Sequence, residues 1–126
     1  MKRFVWITLV VVGVSAGCAS IDPPVMSKQM TETEAALQSA ETAGALNHAP
    51  DLLAKAREAF IASRESAARG DDEEAYRKAL EAKAYAEAAE GRVKAEGLKK
   101  EEATVRQQAD ELEAKAKQLR EQAQKP

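Results

Sequence analysis

Few side chains in this sequence are of types that catalyse reactions or bind metals. His48 is the only histidine, and a lone imidazole has no second histidine or cysteine with which to build a metal site. The acidic run at residues 71–74 (DDEE) lacks the alternating ligands and central glycine of a calcium loop, so we interpret it as a helix start rather than a cation site. Ser63, Ser66 and Thr104 have no histidine partner at a readable spacing. We therefore expect no enzyme activity, no metal and no cofactor.

Cys18 is the residue with the clearest chemical role. It is the only cysteine, so it cannot form an intramolecular disulfide. It follows two basic residues, Lys2 and Arg3, and the uncharged run at 4–14 (FVWITLVVVGV), which falls within the roughly 7–15 residues of a secretory h-region. A spanning helix needs about 20 apolar residues, and this run ends too early. The pattern predicts a cleaved leader over residues 1–17 and disfavours an uncleaved membrane anchor.

The residues before Cys18 (Ser15-Ala16-Gly17) resemble the lipobox of bacterial lipoproteins, with Ser15 where leucine is usual. The resemblance implies that the Cys18 thiol receives a diacylglyceryl group and that the cysteine becomes the first residue after cleavage. Two or more acyl chains anchor a protein firmly, at about 0.8 kcal/mol for each buried CH₂. The alternative is an ordinary buried cysteine inside a leader.

Ala19 and Ser20, which follow the cysteine, are similar to Gram-negative signals for the outer membrane, whereas aspartate there usually retains a lipoprotein at the inner membrane. We therefore expect a lipid anchor in the outer membrane, with the protein on its periplasmic face. Residues 18–26 are predicted to be a lipidated tether, held extended by Pro23 and Pro24.

The composition of the full sequence predicts an all-α fold. Charged residues make up 32% and aromatic residues 4%, a mixture that favours long solvated helices over a thick core or a sheet. The formal charge of −2 becomes −4 without Lys2 and Arg3, which argues against a nucleic-acid partner.

Three helices are predicted beyond the tether. The first begins between Ser27 and Thr31, where Thr31 has capping-box spacing, and ends near Ala43 before a loop at 44–50. The second covers about Pro50 to Arg69, and the short turn at Gly70 predicts an antiparallel hairpin with a third helix from Asp72 to about Gln124. The bulky apolar residues available to a bundle are few: Leu37, Leu52, Leu53, Phe60, Ile61, Leu80 and Val93.

The apolar stripe of the third helix changes phase near Gly91 and Gly97. We expect residues 27–96 to form an alanine-rich three-helix bundle and residues 97–126 to project as a coiled-coil-like helix. The projecting stripe consists of Leu98, Val105, Leu112 and Leu119, the candidate partner-docking residues, with Ala109, Ala116 and Ala123 beside them. With the leucines at d, position a holds three alanines and Glu102, which is too weak a seam for strong self-pairing. The sequence favours a monomer, and a merely solvated spacer is the alternative.

The middle of the chain resembles the bacterial domain-of-unknown-function family numbered 4398. The resemblance covers roughly Thr31 to Glu96 and depends on packing features of a helical hairpin: Gly44-Ala45, Ala49-Pro50, Leu53, Ala56, Ala59, Gly70-Asp71, Ala75, Ala79, Ala82 and Ala86. It implies an alanine-rich envelope lipoprotein and no established activity. We therefore expect a periplasmic structural or adaptor protein that contacts an envelope protein. The alternative is a binding module whose helical hairpin presents a groove to an envelope peptide or protein.

Overall fold

The computed structural model describes residues 21–125, and this part of the chain is all-α, as predicted. Four helices follow one another: α1 (Pro23–Ala43), α2 (Ala45–His48), α3 (Pro50–Ala68) and α4 (Asp72–Ala123). Between residues 21 and 125 there is no β-strand.

Helix α1 begins earlier than the sequence predicted, at the proline pair itself. The carbonyl of Asp22 accepts hydrogen bonds from the N–H groups of Val25 and Met26, at 2.9 and 3.1 Å. Proline suits a first helical turn because its φ is already helical and its missing N–H would have had no partner. The extended conformation predicted for Pro23 and Pro24 is therefore wrong. So is the cap at Thr31, whose hydroxyl lies inside the helix and donates to the Ser27 carbonyl.

The stretch between α1 and α3 is more ordered than the predicted loop. Gly44 ends α1 with the expected left-handed φ of 94°, where a side chain would be strained. One further helical turn, α2, then places Ala45 and Ala49 in the core with no exposed surface. Pro50 begins α3, as predicted.

The predicted hairpin of α3 and α4 is confirmed at its turn. Gly70 has a φ of 78°, and the N–H of Asp71 donates to the Ser66 carbonyl at 3.0 Å. The Asp71 carboxylate then accepts the N–H of Glu74 at 3.3 Å and caps α4. The acidic run thus starts a helix, as we interpreted it.

Helix α4 is the central element of the bundle, because α1 and α3 both pack on it and make little contact with each other. Helix α3 runs antiparallel to α4: Asp51 near its start pairs with Arg92, and Ser63 further along bonds to Ala75. Helix α1 runs parallel to α4, since Thr33 meets Ala79 and Ser39, further along, meets Glu90.

The core is built mainly from alanine. Leu53 is the largest fully buried side chain, with 1% of its surface exposed. Small side chains let α1 and α3 approach α4 closely enough for hydroxyls to reach its backbone. The Thr33 hydroxyl lies 3.0 Å from the Ala79 carbonyl and the Ser63 hydroxyl donates to the Ala75 carbonyl at 2.7 Å. Among the described residues, every buried side-chain N and O atom has a partner.

The bulky residues expected in the bundle divide into three groups. Leu37 and Leu53 are buried, and Leu52, Phe60 and Val93 are partly buried against the core. Ile61 and Leu80 are exposed, so their expected core positions are wrong. Ile61 lies on the side of α3 that faces away from α4. Leu80 lies on the side of α4 that faces away from α1 and α3.

Candidate interaction surface

The predicted lipid-bearing residue, Cys18, lies outside the described residues, as do the leader at 1–17 and the sorting residues Ala19 and Ser20. The helices from residue 21 onward contain no segment that is long and apolar enough to span a bilayer. The part of the candidate site that lies within the described residues is therefore the row of Leu98, Val105, Leu112 and Leu119 on α4, which we call the docking stripe.

Helix α4 leaves the bundle near Glu96. That carboxylate is the last half-buried one on the helix, and every described residue from Gly97 onward is exposed. At 1.5 Å per residue, α4 is about 78 Å long and its projecting part about 40 Å. The packing of α4 against the other helices therefore ends near residue 97.

Two polar contacts, one helical turn apart on α4, hold the base of the projecting part. Arg92 contacts Asp51 of α3 at 2.7 Å. One turn further along, the Glu96 carboxylate lies 2.9 Å from Nδ1 of His48 in α2. These contacts tie the exit of α4 to the short helix and to α3, so the projecting part begins from a supported position.

The four predicted docking residues form one exposed apolar stripe. Leu98, Val105, Leu112 and Leu119 have 57–66% of their surface exposed and are spaced seven residues apart, so they lie on one face of the helix. Ala109, Ala116 and Ala123 lie beside them at the same spacing and are also exposed. Nothing in the described chain covers this docking stripe.

Basic residues follow one edge of the docking stripe. Lys99, Arg106 and Arg120 each come directly after a stripe residue, which is heptad position e; the fourth e position is Glu113. Arg106 pairs with Glu102 one turn before it at 2.8 Å. Lys99 and Arg120 take part in no ion pair within residues 21–125. The stripe was predicted from the sequence and this basic edge was not, although the heptad register alone indicates both.

Charged contacts also connect α1 to α4 within the bundle. Lys83 of α4 donates to the Glu32 carboxylate of α1 at 2.7 Å, which lowers the pKa of Glu32 and raises that of Lys83. Hydrogen bonds from Lys94 and from the Ser39 hydroxyl lower the pKa of Glu90. All three groups are favoured in their charged forms. Two of these contacts, Lys83–Glu32 and Ser39–Glu90, join α1 to α4 and therefore stabilise their packing around neutral pH.

Two of the hydroxyl residues considered for catalysis, and the aromatic residue Tyr85, have structural partners. The Ser63 hydroxyl is buried on the Ala75 carbonyl, and the Thr104 hydroxyl donates to the Lys100 carbonyl within the helix. Tyr85 is half-buried, with the Lys55 ammonium 5.7 Å from its ring centre. Residues 21–125 contain no group of three or more His, Cys, Asp or Glu side chains that could hold a metal ion.

A shallow groove of about 270 Å³ lies between α3 and α4, and it is the feature closest to the binding groove considered from the sequence. Its polar lining consists of Lys55, Glu58, Lys78, Glu81 and Tyr85. Lys78 pairs with Glu81 at 2.8 Å, and Lys55 lies over Tyr85. Much of the polar lining thus already has intramolecular partners.

A comparison with known protein families found a match that covers most of the described helices. A model of the family described as "Domain of unknown function (DUF4398)" matches residues 28–105, which include most of α1, all of α2 and α3, the bundle part of α4 and the first two stripe residues. No curated protein and no solved structure matches the chain. Because the family match spans more than half of the sequence, the chain belongs to the DUF4398 family of domains of unknown function.

Proposed function

We propose that this protein is an outer-membrane-anchored periplasmic lipoprotein with a structural or adaptor role and no catalytic activity. The anchor is the lipid predicted on Cys18, and the interaction surface is the docking stripe. The observation that carries the adaptor role is that the stripe remains uncovered along a projecting helix, while polar groups inside the bundle have partners.

The parallel arrangement of α1 and α4 supports this proposal. The N-terminal ends of both helices lie at the same end of the bundle, and the projecting part leaves from the opposite end. A lipid on Cys18 would hold the start of α1 near the bilayer. Counted from Asp72, the stripe would then begin about 40 Å along α4 at Leu98 and reach about 70 Å at Leu119. That separation suits a protein that reaches from a membrane to a partner.

The lipid anchor is tested by metabolic labelling with palmitate in a Gram-negative host. We expect the wild-type protein to be labelled and recovered in the outer membrane. Cys18→Ser should remove the label and leave the precursor uncleaved in the inner membrane. Ala19→Asp should keep the label but move the protein to the inner membrane. An unlabelled wild type would disprove the anchor, and an Ala19→Asp variant that stays in the outer membrane would disprove the sorting argument.

The adaptor role is tested by site-specific photo-crosslinking in cells. A photoreactive amino acid at Leu112 should crosslink to a defined envelope protein, whereas the same group at Ala114, on the opposite face of the helix, should not. Leu112→Glu should abolish a crosslink formed from Val105, and Ala114→Glu should leave it intact. If the two faces crosslink equally, the helix is a solvated spacer.

The alternative function is a helical-hairpin module that binds an envelope peptide or protein in the groove between α3 and α4. The observation that favours it is the open space beside Tyr85. In that case a photoreactive group at Ala62, which lines the groove, would capture the partner, and Leu112→Glu would have no effect. The adaptor proposal predicts the reverse.

A further inference from the structure

We infer that the partner of the docking stripe is an amphipathic helix of another protein, with bulky apolar residues along its seam and acidic residues along its flanks. This inference rests on the adaptor role proposed above and adds the chemistry of the partner. It depends on the shape of the stripe, the charges beside it and the outcome of pairing two copies.

The shape of the stripe requires bulky side chains from the partner. Position d carries three leucines and a valine, but position a carries Ala109, Ala116 and Ala123. Alanine leaves space opposite it, and a coiled-coil interface is tight only when the facing helix fills such space. A partner with leucine or isoleucine opposite the alanines would complete the interface.

The charges beside the stripe require acidic residues from the partner. Three of the four e positions are basic: Lys99, Arg106 and Arg120. Residues at e face the flank of a paired helix and set the choice of partner. Carboxylates along that flank would meet all three cations, including Lys99 and Arg120, which make no ion pair within the described chain.

A second copy of this chain does not supply that complement in a parallel pair. Lys115 at position g would then face Arg120 of the other copy, and the two Glu102 carboxylates would meet in the seam. Glu101 would gain Arg106 of the other copy, which offsets only part of these repulsions.

An antiparallel pair of copies does no better. The register that places each a residue opposite a d residue brings Lys99 against Arg120 of the other copy at both ends of the interface. Arg106 would meet Glu113 near the middle. In this orientation attractive and repulsive flank pairs are equal in number, and every seam layer contains an alanine or Glu102. Self-pairing therefore gains little in either orientation.

A membrane surface is also a poorer match than a helix. An interfacial helix needs a wide apolar face and a strongly basic polar face. Residues 97–126 carry seven basic and six acidic side chains, and the docking stripe is one heptad seam wide. The narrow stripe and the balanced charge fit a partner helix.

The test uses two synthetic probe helices of about 28 residues, matching four heptads. Both carry the same leucine and isoleucine seam, but one has glutamate and the other lysine at every flanking position. The full chain is expressed with its leader, purified and held in nanodiscs of zwitterionic lipid. Binding of fluorescent probes is followed by anisotropy. At low salt we expect the acidic probe to bind about tenfold more tightly than the basic one. Four basic flank residues (Lys99, Arg106, Lys115 and Arg120) outnumber the two acidic ones (Glu101 and Glu113), and every exposed charge pair changes sign between the probes. Molar salt should reduce the preference.

A charge swap separates the basic edge from general charge. Lys99→Glu with Arg120→Glu should reverse the probe preference. Lys100→Glu with Lys125→Glu makes the same change in net charge on the face of the helix opposite the stripe. This control variant should still prefer the acidic probe. Circular dichroism establishes that both variants remain helical, so a loss of binding cannot reflect an unfolded helix.

Equal binding of the two probes, or binding of neither, would overturn the partner assignment. So would a preference that the Lys100→Glu, Lys125→Glu control reverses as well. A stable dimer that dissociates on Leu112→Glu would identify a second copy as the partner, and loss of probe binding in nanodiscs of anionic lipid would identify a membrane. Each of these outcomes leaves palmitate labelling and crosslinking at Leu112 to decide the adaptor role separately.

Discussion

Replacing Leu53 by alanine should destabilise the bundle more than any other single truncation in α3. Leu53 is the largest fully buried side chain, and the buried residues around it in the core are Leu37 and alanines. Leu53→Ala removes three carbon groups, which costs about 2.4 kcal/mol at about 0.8 kcal/mol for each buried CH₂. Alanine has no side-chain rotamer with which to fill the space, so the cavity remains and adds about 1 kcal/mol or more. The expected loss is at least about 3 kcal/mol, a large fraction of the stability of a domain this small.

The measurement is urea unfolding followed by tyrosine fluorescence of the chain without its leader, because Trp6 in the leader would otherwise dominate the emission. Both tyrosines of the chain, Tyr76 and Tyr85, lie in the bundle part of α4, so the projecting helix does not contribute to the signal. Leu46→Ala is the matched control. It removes the same atoms from another helical leucine, but one with 61% of its surface exposed, so it should change the free energy of unfolding by about 0.5 kcal/mol or less. Equal midpoints for wild type and Leu53→Ala, or an equal loss in both variants, would refute this account of the core.

Three further outcomes follow from the packing of α4. Ser63→Ala should cost about 1–2 kcal/mol in urea unfolding, because the Ala75 carbonyl loses a buried partner; an unchanged midpoint would mean that water replaces the hydroxyl. Glu32→Gln should reduce the loss of melting temperature on acidification below about pH 4.5. The hydrogen bond from Lys83 holds the pKa of Glu32 below its usual range, and the stability that this contact contributes is lost as the pH falls through the lowered pKa. Identical pH profiles of the variant and the wild type would contradict this expectation. Ending the chain after Gly97 should change the free energy of unfolding of the bundle by about 0.5 kcal/mol or less, and a larger loss would show that the projecting helix supports the bundle.

The glycine turns that follow α1 and α3, and the start of α3, could be predicted from the sequence. Gly44 and Gly70 adopt the left-handed φ expected of them, and Pro50 begins α3. These signals act within one helical turn, through the backbone of the residue itself or of its nearest neighbours. The docking stripe was predictable for a related reason: the phase of a heptad is a property of one helix, and a change of phase near Gly97 indicates that the earlier contacts end there.

The start of α1 and the extra turn α2 were not predictable in the same way. Proline is compatible both with an extended tether and with a first helical turn, so the sequence of Pro23 and Pro24 does not choose between them. Helix α2 has only one turn, which is too short to be stable alone. It exists because Ala45 and Ala49 pack into the core.

Only the tertiary structure decided which side chains form the core and where the two ends of the molecule point. Ile61 and Leu80 are apolar yet exposed, while Thr33 and Ser63 are polar yet buried. A hydroxyl can be buried when a carbonyl of another helix lies within hydrogen-bonding distance, and that depends on how closely two helices approach. The parallel alignment of α1 with α4 likewise arises from contacts between residues about 50 positions apart. Local sequence periodicity specifies a face on one helix, but only the packing of distant segments specifies what that face meets.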